Sequence, residues 1–529
     1  MTFTGKLLPY QPEAVDRMCQ RQKMLVAYDL GLGKTVLTIA AIERLMDSRS
    51  IEEPGLVICL SSLKYQWANQ IEKFTDGTSR ALVIDGTKAK RTEQYETAYD
   101  WKNTRVDYII LNYEQVVNDW EYVKDLPRGF VVLDEATAIK SFKSKRAKYV
   151  KRLRSAPYKF ALTGTPIENG KPEELFSIMQ FIDDSVLKDF RKFEDTFIVR
   201  NNWGAVLRYK NLPLFHELMK DASVRKTQKD PDVAPYLPDA IHKDPIKIVF
   251  DRKCSKLYEK IKKDLLADLD EAQDLFGGSF NLLAHYGVES TRGGAEDAWR
   301  GKIMSKVGAL KMLCSHPDLI RTSAKKHHSD GVEGSKYAAE LVAEGLLDGV
   351  NNSPKLDYLA QYATDFLDQD PENKLVIFAT YVDMLEMIAK ALGPERCRLY
   401  SGRMDAKTKE ENKIAFNNDP NIRVLVSSDA GGYGVDLPSG NLLVNYDLPW
   451  SSGAANQRNG RIIRASSRFK TAVIQDLLIG GSIEERQYES LQQKSSVAEA
   501  IIDGKGIDDK GGVPLSVGSL REFLMLSSV

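Results

Sequence analysis

The segment Asp29-Leu30-Gly31-Leu32-Gly33-Lys34-Thr35 carries the residue types that hold phosphate. It follows an apolar run, Met24-Leu25-Val26-Ala27, and opens a helical pattern with Val36, Leu37, Ile39, Ala40 and Ile42. In a strand, glycine-rich loop and helix, backbone N–H groups can turn inward around an anion, and the helix N-terminus adds partial positive charge. Lys34 can then reach the β- and γ-phosphates of a nucleotide, and the Thr35 hydroxyl can ligate Mg²⁺. Tyr28 stands where the general phosphate-loop pattern has its first glycine.

Three further segments could do chemistry with that loop. Phe130-Val131-Val132-Leu133-Asp134-Glu135 is an apolar strand ending in two carboxylates. Downstream of a phosphate loop, Asp134 can hold Mg²⁺ through water and Glu135 can orient and deprotonate an attacking water. Thr163-Gly164-Thr165 follows the strand-like run Lys159–Leu162 and reads either as a simple turn or as a sensor of the γ-phosphate. Gln457-Arg458-Asn459-Gly460-Arg461-Ile462-Ile463-Arg464 spaces arginines three apart, which on a helix puts them on one face. They are either solvated or able to stabilise charge in a phosphoryl transition state.

Positioning such groups takes parallel sheets wrapped by helices. Up to about residue 200, β-like runs at Leu56–Leu60, Ala81–Ile84, Tyr108–Leu111, Phe130–Leu133 and Lys159–Leu162 alternate with helical stretches. The alternation returns after Pro354, at Lys374–Ala379, Arg398–Tyr400, Val424–Val426, Leu442–Asn445 and Thr471–Leu477. Between them Leu257, Ile261, Leu265 and Leu269 recur at helical spacing, while 277–294 and 322–335 read as mobile loops. His327-His328 lies in the second of these loops and reads as solvated. The expected order is an α/β lobe at 1–200, a linker and helical insertion at 201–345, a second α/β lobe at 346–482, and a helix and glycine-bearing tail at 483–529.

Bulk composition narrows the class. Lys+Arg and Asp+Glu both number 74, so any nucleic-acid contact must come from a local patch. One such patch is residues 140–159, with nine Lys/Arg and no Asp or Glu. It reads as a solvated face or as a track for a phosphate backbone through Lys143, Lys145, Arg146 and Lys148. The five cysteines are scattered without a Cys-x-x-Cys, which argues against a disulfide framework or zinc site. With no signal-like start and no apolar run of spanning length, a soluble cytoplasmic protein without a membrane partner is expected.

Taken together and in order, LLPYQPEAV, DLGLGKT, LVICLSSLKYQWANQIEKF, YIILNYEQV, VVLDEATAIKS, ALTGTPIENG, KLVIFATYVDMLEMI, VLVSSDAGGYGVDL and QRNGRIIRASS resemble a Swi/Snf-type ATPase, a branch of helicase superfamily two. VRKTQKDPDVAPYLPD, LKMLCSHPDL and SPKLDYLAQY resemble the segments that set this branch apart. The resemblance spans about residues 7 to 504 and implies two RecA-like lobes with helical insertions. It implies that Gln11 reads adenine, that Gly31, Gly33, Lys34 and Thr35 hold the phosphates and Mg²⁺, and that Asp134 and Glu135 complete the hydrolytic site. It further implies that Gly434 and Asp436 approach the nucleotide, and that Gln457, Arg461 and Arg464 close on it. DNA-backbone contacts are implied near Ser62, Tyr113, Thr380 and Ser428. Thr137, Leu8, Asp436, Ile463 and Ser467 depart from the family's usual residues, and none of these changes removes a group that hydrolysis needs.

The implied activity is ATP-driven translocation on double-stranded DNA by a monomer with ATP and Mg²⁺. The alternatives are a strand-separating DNA or RNA helicase, or a non-hydrolysing ATP-gated DNA clamp. The compact size, with no room for a chromatin-reading or nuclease domain, points to a bacterial cell or an infected host cell.

Overall fold

The computed structural model describes residues 2–200, 206–276, 295–330, 334–429 and 435–498. The chain forms two units, one in the main from 1–199 with 209–237, the other in the main from 238–493.

Seven parallel strands make the sheet of the first unit. They are β1 (Lys23–Tyr28), β2 (Gly55–Cys59), β3 (Ala81–Val83), β4 (Tyr108–Asn112), β5 (Phe130–Asp134), β6 (Tyr158–Leu162) and β7 (Ser223–Lys226). Their order is β3-β4-β2-β5-β6-β1-β7. β2, β5 and β6 are buried along their whole length, as continuous Val/Ile/Leu runs must be when helices cover both faces. One flanking helix, Lys34–Asp47, buries Leu37, Ile39, Ala40, Ile42 and Leu45.

β7 corrects the expected lobe boundary at 200. Ser-Val-Arg-Lys has one apolar residue and no strand signature, yet it pairs Leu25–Tyr28 in parallel register. Its place is set by β1, not by its own propensity.

The sheet of the second unit has β8 (Asp239–His242), β9 (Ile246–Ile248), β10 (Leu375–Phe378), β11 (Cys397–Tyr400), β12 (Val424–Ser427), β13 (Leu442–Asn445) and β14 (Thr471–Ile479). The order is β8-β14-β13-β10-β12-β11, with β9 also pairing β14, and every pairing is parallel. Thus the segment expected as linker supplies a strand to the first sheet and two to the second.

Leu257, Ile261, Leu265 and Leu269 are buried on the long helix Arg252–Phe276, which packs against Ala295–Ser315. The loop expected at 322–335 is instead mostly helix, running Pro317–Asp330 with His327 and His328 in its last turn. No glycine interrupts it before Gly331, and Ile320 and Ala324, four apart, are buried on one face. Residues 277–294 and 504–512 lie outside the described residues. No described helix is long and apolar enough to cross a membrane.

Candidate active site

The phosphate-type loop leaves the end of β1. Gly31 and Gly33 hold φ of 82° and 76°, a left-handed conformation that costs glycine little. A Cβ on Gly33 would also collide with Gln11 Nε2. Lys34 Nζ donates to the carbonyls of Tyr28 at 2.9 Å and Asp29 at 3.2 Å, and Thr35 stands beside it in the first helical turn. Gln11 is buried, and its carboxamide is engaged with backbone. Oε1 accepts from Leu8 N at 2.8 Å, and Nε2 donates to Leu32 O at 3.0 Å. Reading an adenine edge would require it to exchange these bonds.

Asp134 is the last residue of β5, with β2 and β6 on either side. Its carboxylate is held by two donors, Trp67 Nε1 on Oδ2 at 2.8 Å and Glu135 N on Oδ1 at 3.0 Å. Burial pushes the Asp134 carboxyl above its ordinary range, while the Trp67 bond, the Lys34 charge and the Glu135 amide each pull it down. Lys34 thus acts electrostatically on the carboxylate. Glu135 turns into left-handed geometry, φ 50° and ψ 57°, unusual for a residue with a side chain.

Thr163-Gly164-Thr165 lies at the end of β6, between β5 and β1. Thr163 N donates to Val26 O at 3.1 Å, and a Cβ on Gly164 would sit 3.1 Å from Leu30 Cγ, so this segment packs on the loop. Thr165 Oγ1 is buried without a hydrogen-bond partner among the described residues.

Two residues missed by the motif reading tie the loop down. Arg225, on β7, pairs with Asp29 Oδ1 at 2.6 Å and donates to Ala27 O at 2.8 Å. Gln228 N donates to Asp29 Oδ2 at 3.0 Å, and its Nε2 donates to Leu30 O at 3.1 Å. VRKTQKD was legible as a family-like segment, but its link to Asp29 is visible only in three dimensions.

In the second unit the arginine segment departs from expectation. The helix is Ser452–Asn459 and ends at Gly460, so Arg461 and Arg464 lie beyond it instead of continuing one helical face. Glycine's poor helix propensity accounts for the stop. Gln457, Arg461 and Arg464 are all buried. Arg464 Nε lies 2.9 Å from Asp436 Oδ1 without hydrogen-bond alignment, and Arg461 Nη1 donates to Val435 O at 3.4 Å. Arg464 and Asp436 therefore meet, while Gly434 lies outside the described residues.

Arg458, which motif reasoning passes over, ties together three other segments. It holds Asp429 through two nitrogens at 2.5 and 2.8 Å, donates to Asp447 O at 2.5 Å, and reaches Thr380 Oγ1 at 3.3 Å. Burial alone would lower its pKa, but the Asp429 and Asp447 charges outweigh that and raise it.

Two of the expected DNA contacts are corrected. Tyr113 is fully buried, and its hydroxyl donates to Asp134 O at 2.8 Å. Ser428 is 2% exposed and cannot line an outer surface as it stands. Ser62 and Thr380 are exposed, though the Thr380 hydroxyl donates to Asp447 Oδ1 at 2.5 Å.

The basic run 140–159 is divided by its surroundings. Lys140 pairs with Glu168, Lys151 donates to Ser177 Oγ at 2.9 Å and Gln180 Oε1 at 2.8 Å, and Arg152 lies over Tyr149. Arg146 pairs with Glu114 and lies over the Tyr113 ring. Lys143, Lys145 and Lys148 are exposed, as are Arg152 and Arg154. The surface part of the run is therefore smaller than its composition implies.

A parallel α/β sheet with a phosphate loop and an acid pair at its carboxyl end defines a nucleotide-hydrolase architecture. An SNF2-related domain model matches residues 10–319, and a helicase conserved C-terminal domain model matches 354–466. The first of these models spans more than half of the chain, which therefore belongs to the SNF2-related domain family. YwqA of Bacillus subtilis (strain 168), named as a candidate ATP-dependent helicase/translocase, is 25% identical over 100% of this chain and 52% of its own length. The chain therefore spans about half of that relative. A RAD54-like DNA repair and recombination protein of Gallus gallus is 26% identical over 95% of this chain and 67% of its own. The Hef helicase domain of Pyrococcus furiosus matches the fold at a TM-score of 0.51 and 16% identity, covering 91% of this chain and 98% of that one.

Proposed function

We propose that this chain hydrolyses ATP and uses the energy to move along double-stranded DNA without separating its strands. One observation carries the hydrolytic part. The loop after β1, Thr163–Thr165 after β6, and Asp134–Glu135 at the end of β5 share one end of three adjacent parallel strands. That is where open α/β sheets bind ligands.

The residues suit a magnesium nucleotide. Gly33 is a place where a side chain would collide, Thr165 Oγ1 is a buried hydroxyl awaiting a partner, and Asp134 is a carboxylate fixed by Trp67. Thr35 and Asp134 would hold Mg²⁺, which when bound neutralises charge on the β- and γ-phosphates. Gly31, Gly33 and Lys34 bind the phosphates. Lys34 gives up its bonds to the Tyr28 and Asp29 carbonyls to do so. Glu135 takes the proton of the attacking water, and Thr163–Thr165 report the γ-phosphate to the loop through Leu30. The family resemblance assigns Arg461 and Arg464 to transition-state charge, a role worth roughly 10³–10⁵ in rate for an arginine finger. Arg464 must first leave Asp436.

DNA is the proposed track because the relatives include a protein named for DNA repair and recombination. Lys143, Lys145 and Lys148 offer exposed charge for its backbone. Holding both strands by phosphate contacts avoids the stacking cost of opening them, about 1–2 kcal/mol per step. The test is displacement of a third strand from a triplex against opening of a forked duplex, each with ATP. Triplex displacement without fork opening supports translocation. Faster release from the fork would establish a strand-separating helicase instead.

A further inference from the structure

Tyr113 occupies an unusual position for the first residue after a strand. It opens the helix Tyr113–Asn118 at the end of β4, is fully buried, and aims its hydroxyl sideways at the end of β5. The hydroxyl donates to Asp134 O at 2.8 Å and lies 3.5 Å from Glu135 O. These two carbonyls flank the one residue of the acid pair whose backbone is left-handed, Glu135 at φ 50° and ψ 57°. Such a conformation in a residue with a side chain persists only where the surroundings hold it. Arg146 covers the ring from outside, 5.7 Å from its centroid, and is itself paired with Glu114 on the same short helix.

We propose that Tyr113 is a positioning residue for hydrolysis: its hydroxyl, anchored on the Asp134 and Glu135 carbonyls, holds the left-handed turn that aims the Glu135 carboxylate. This rests on reading Asp134–Glu135 as the hydrolytic pair. Trp67 fixes the Asp134 side chain and Tyr113 fixes the backbone that follows it, so the two carboxylates are oriented by separate donors. The helix carrying Tyr113 packs on the helix Lys145–Val150, which connects this turn physically to the exposed lysines of the basic run.

The test is Tyr113→Phe, which removes one buried oxygen and keeps the ring beneath Arg146. Turnover of ATP should fall by roughly 10–100-fold, as a small misplacement of a catalytic group costs. Affinity for a fluorescent ADP and KM for ATP should stay within about twofold, since the loop of Gly31–Lys34 is untouched. 4-Aminophenylalanine at position 113 keeps an N–H donor in the same place and should restore most of the turnover. Unchanged kcat in the Phe protein, with only a lower Tm, overturns the proposal and leaves the hydrolytic reading intact. If the Phe protein fails to fold, the aminophenylalanine protein decides alone, and lost turnover there overturns the proposal. Absence of hydrolysis in the wild-type chain overturns both.

Discussion

Lys355 and Glu484 form an ion pair with side chains 0% and 1% exposed, joining the first turns of the helices Pro354–Gln369 and Ile483–Ala498. Nζ donates to both carboxylate oxygens, at 2.7 and 2.6 Å, and Glu484 Oε2 also accepts from Ile479 N at 2.9 Å. Lys355→Met leaves a buried carboxylate with a single amide donor, at a cost of about 3–5 kcal/mol. With m near 3 kcal/mol per M, the urea midpoint of the second unit should fall by roughly 1–2 M. Glu484→Leu should do comparable damage by stranding the ammonium. The double variant removes both charges and orphans only Ile479 N, costing about 1–3 kcal/mol. The two single losses should therefore exceed the double by at least ~3 kcal/mol, because the pair acts as one unit. Urea titrations of the four proteins, followed by circular dichroism, measure this. Single losses below about 1 kcal/mol, or a double variant that simply sums them, would refute the view that this pair anchors the C-terminal helix.

Other outcomes follow from the residue roles proposed above. Arg464→Ala should lower kcat by roughly 10³-fold with little change in nucleotide affinity, as single-turnover kinetics and ADP binding would report; equal loss of affinity and kcat/KM with kcat intact would make it a ground-state binder. Changing Lys143, Lys145 and Lys148 together to Gln should weaken DNA binding for all sequences alike. It should also flatten the slope of log K against log salt, by up to ~0.9 for each phosphate no longer neutralised, and an unchanged slope would mark these lysines as merely solvated. Lys151 has its pKa lowered to about 8 by burial, so between about 8 and the ordinary lysine value the unfolded chain binds the extra proton. Wild-type stability should therefore rise relative to Lys151→Met as pH climbs through that window, a trend readable from thermal melts across pH.

Legibility in the sequence followed how local each interaction is. Strands such as Phe130–Asp134 were readable because a continuous apolar run bounded by polar residues has few other homes. Ser223–Lys226 was not, since its burial comes from pairing with β1 far away in sequence. The phosphate loop was readable because glycine, lysine and threonine act within a few residues of one another. The family resemblance implies a DNA contact near Tyr113, and its burial is not legible there because only the fold brings the Asp134 and Glu135 carbonyls to its hydroxyl. Arg458 was passed over for its neighbours because its partners, Asp429, Asp447 and Thr380, come from other strand ends. The stop at Gly460 was written in the sequence, but arginines at helical spacing outweighed it.

The central claim is that the groups gathered at the ends of β1, β6 and β5 hydrolyse ATP in response to duplex DNA. Steady-state phosphate release by the wild-type chain and by Lys34→Ala, each with and without duplex DNA, tests it most directly. The account predicts turnover that duplex DNA stimulates in the wild type and abolished turnover in Lys34→Ala, with nucleotide-free DNA binding retained in both. Near-wild-type turnover in Lys34→Ala, or none in the wild type with DNA present, would contradict it.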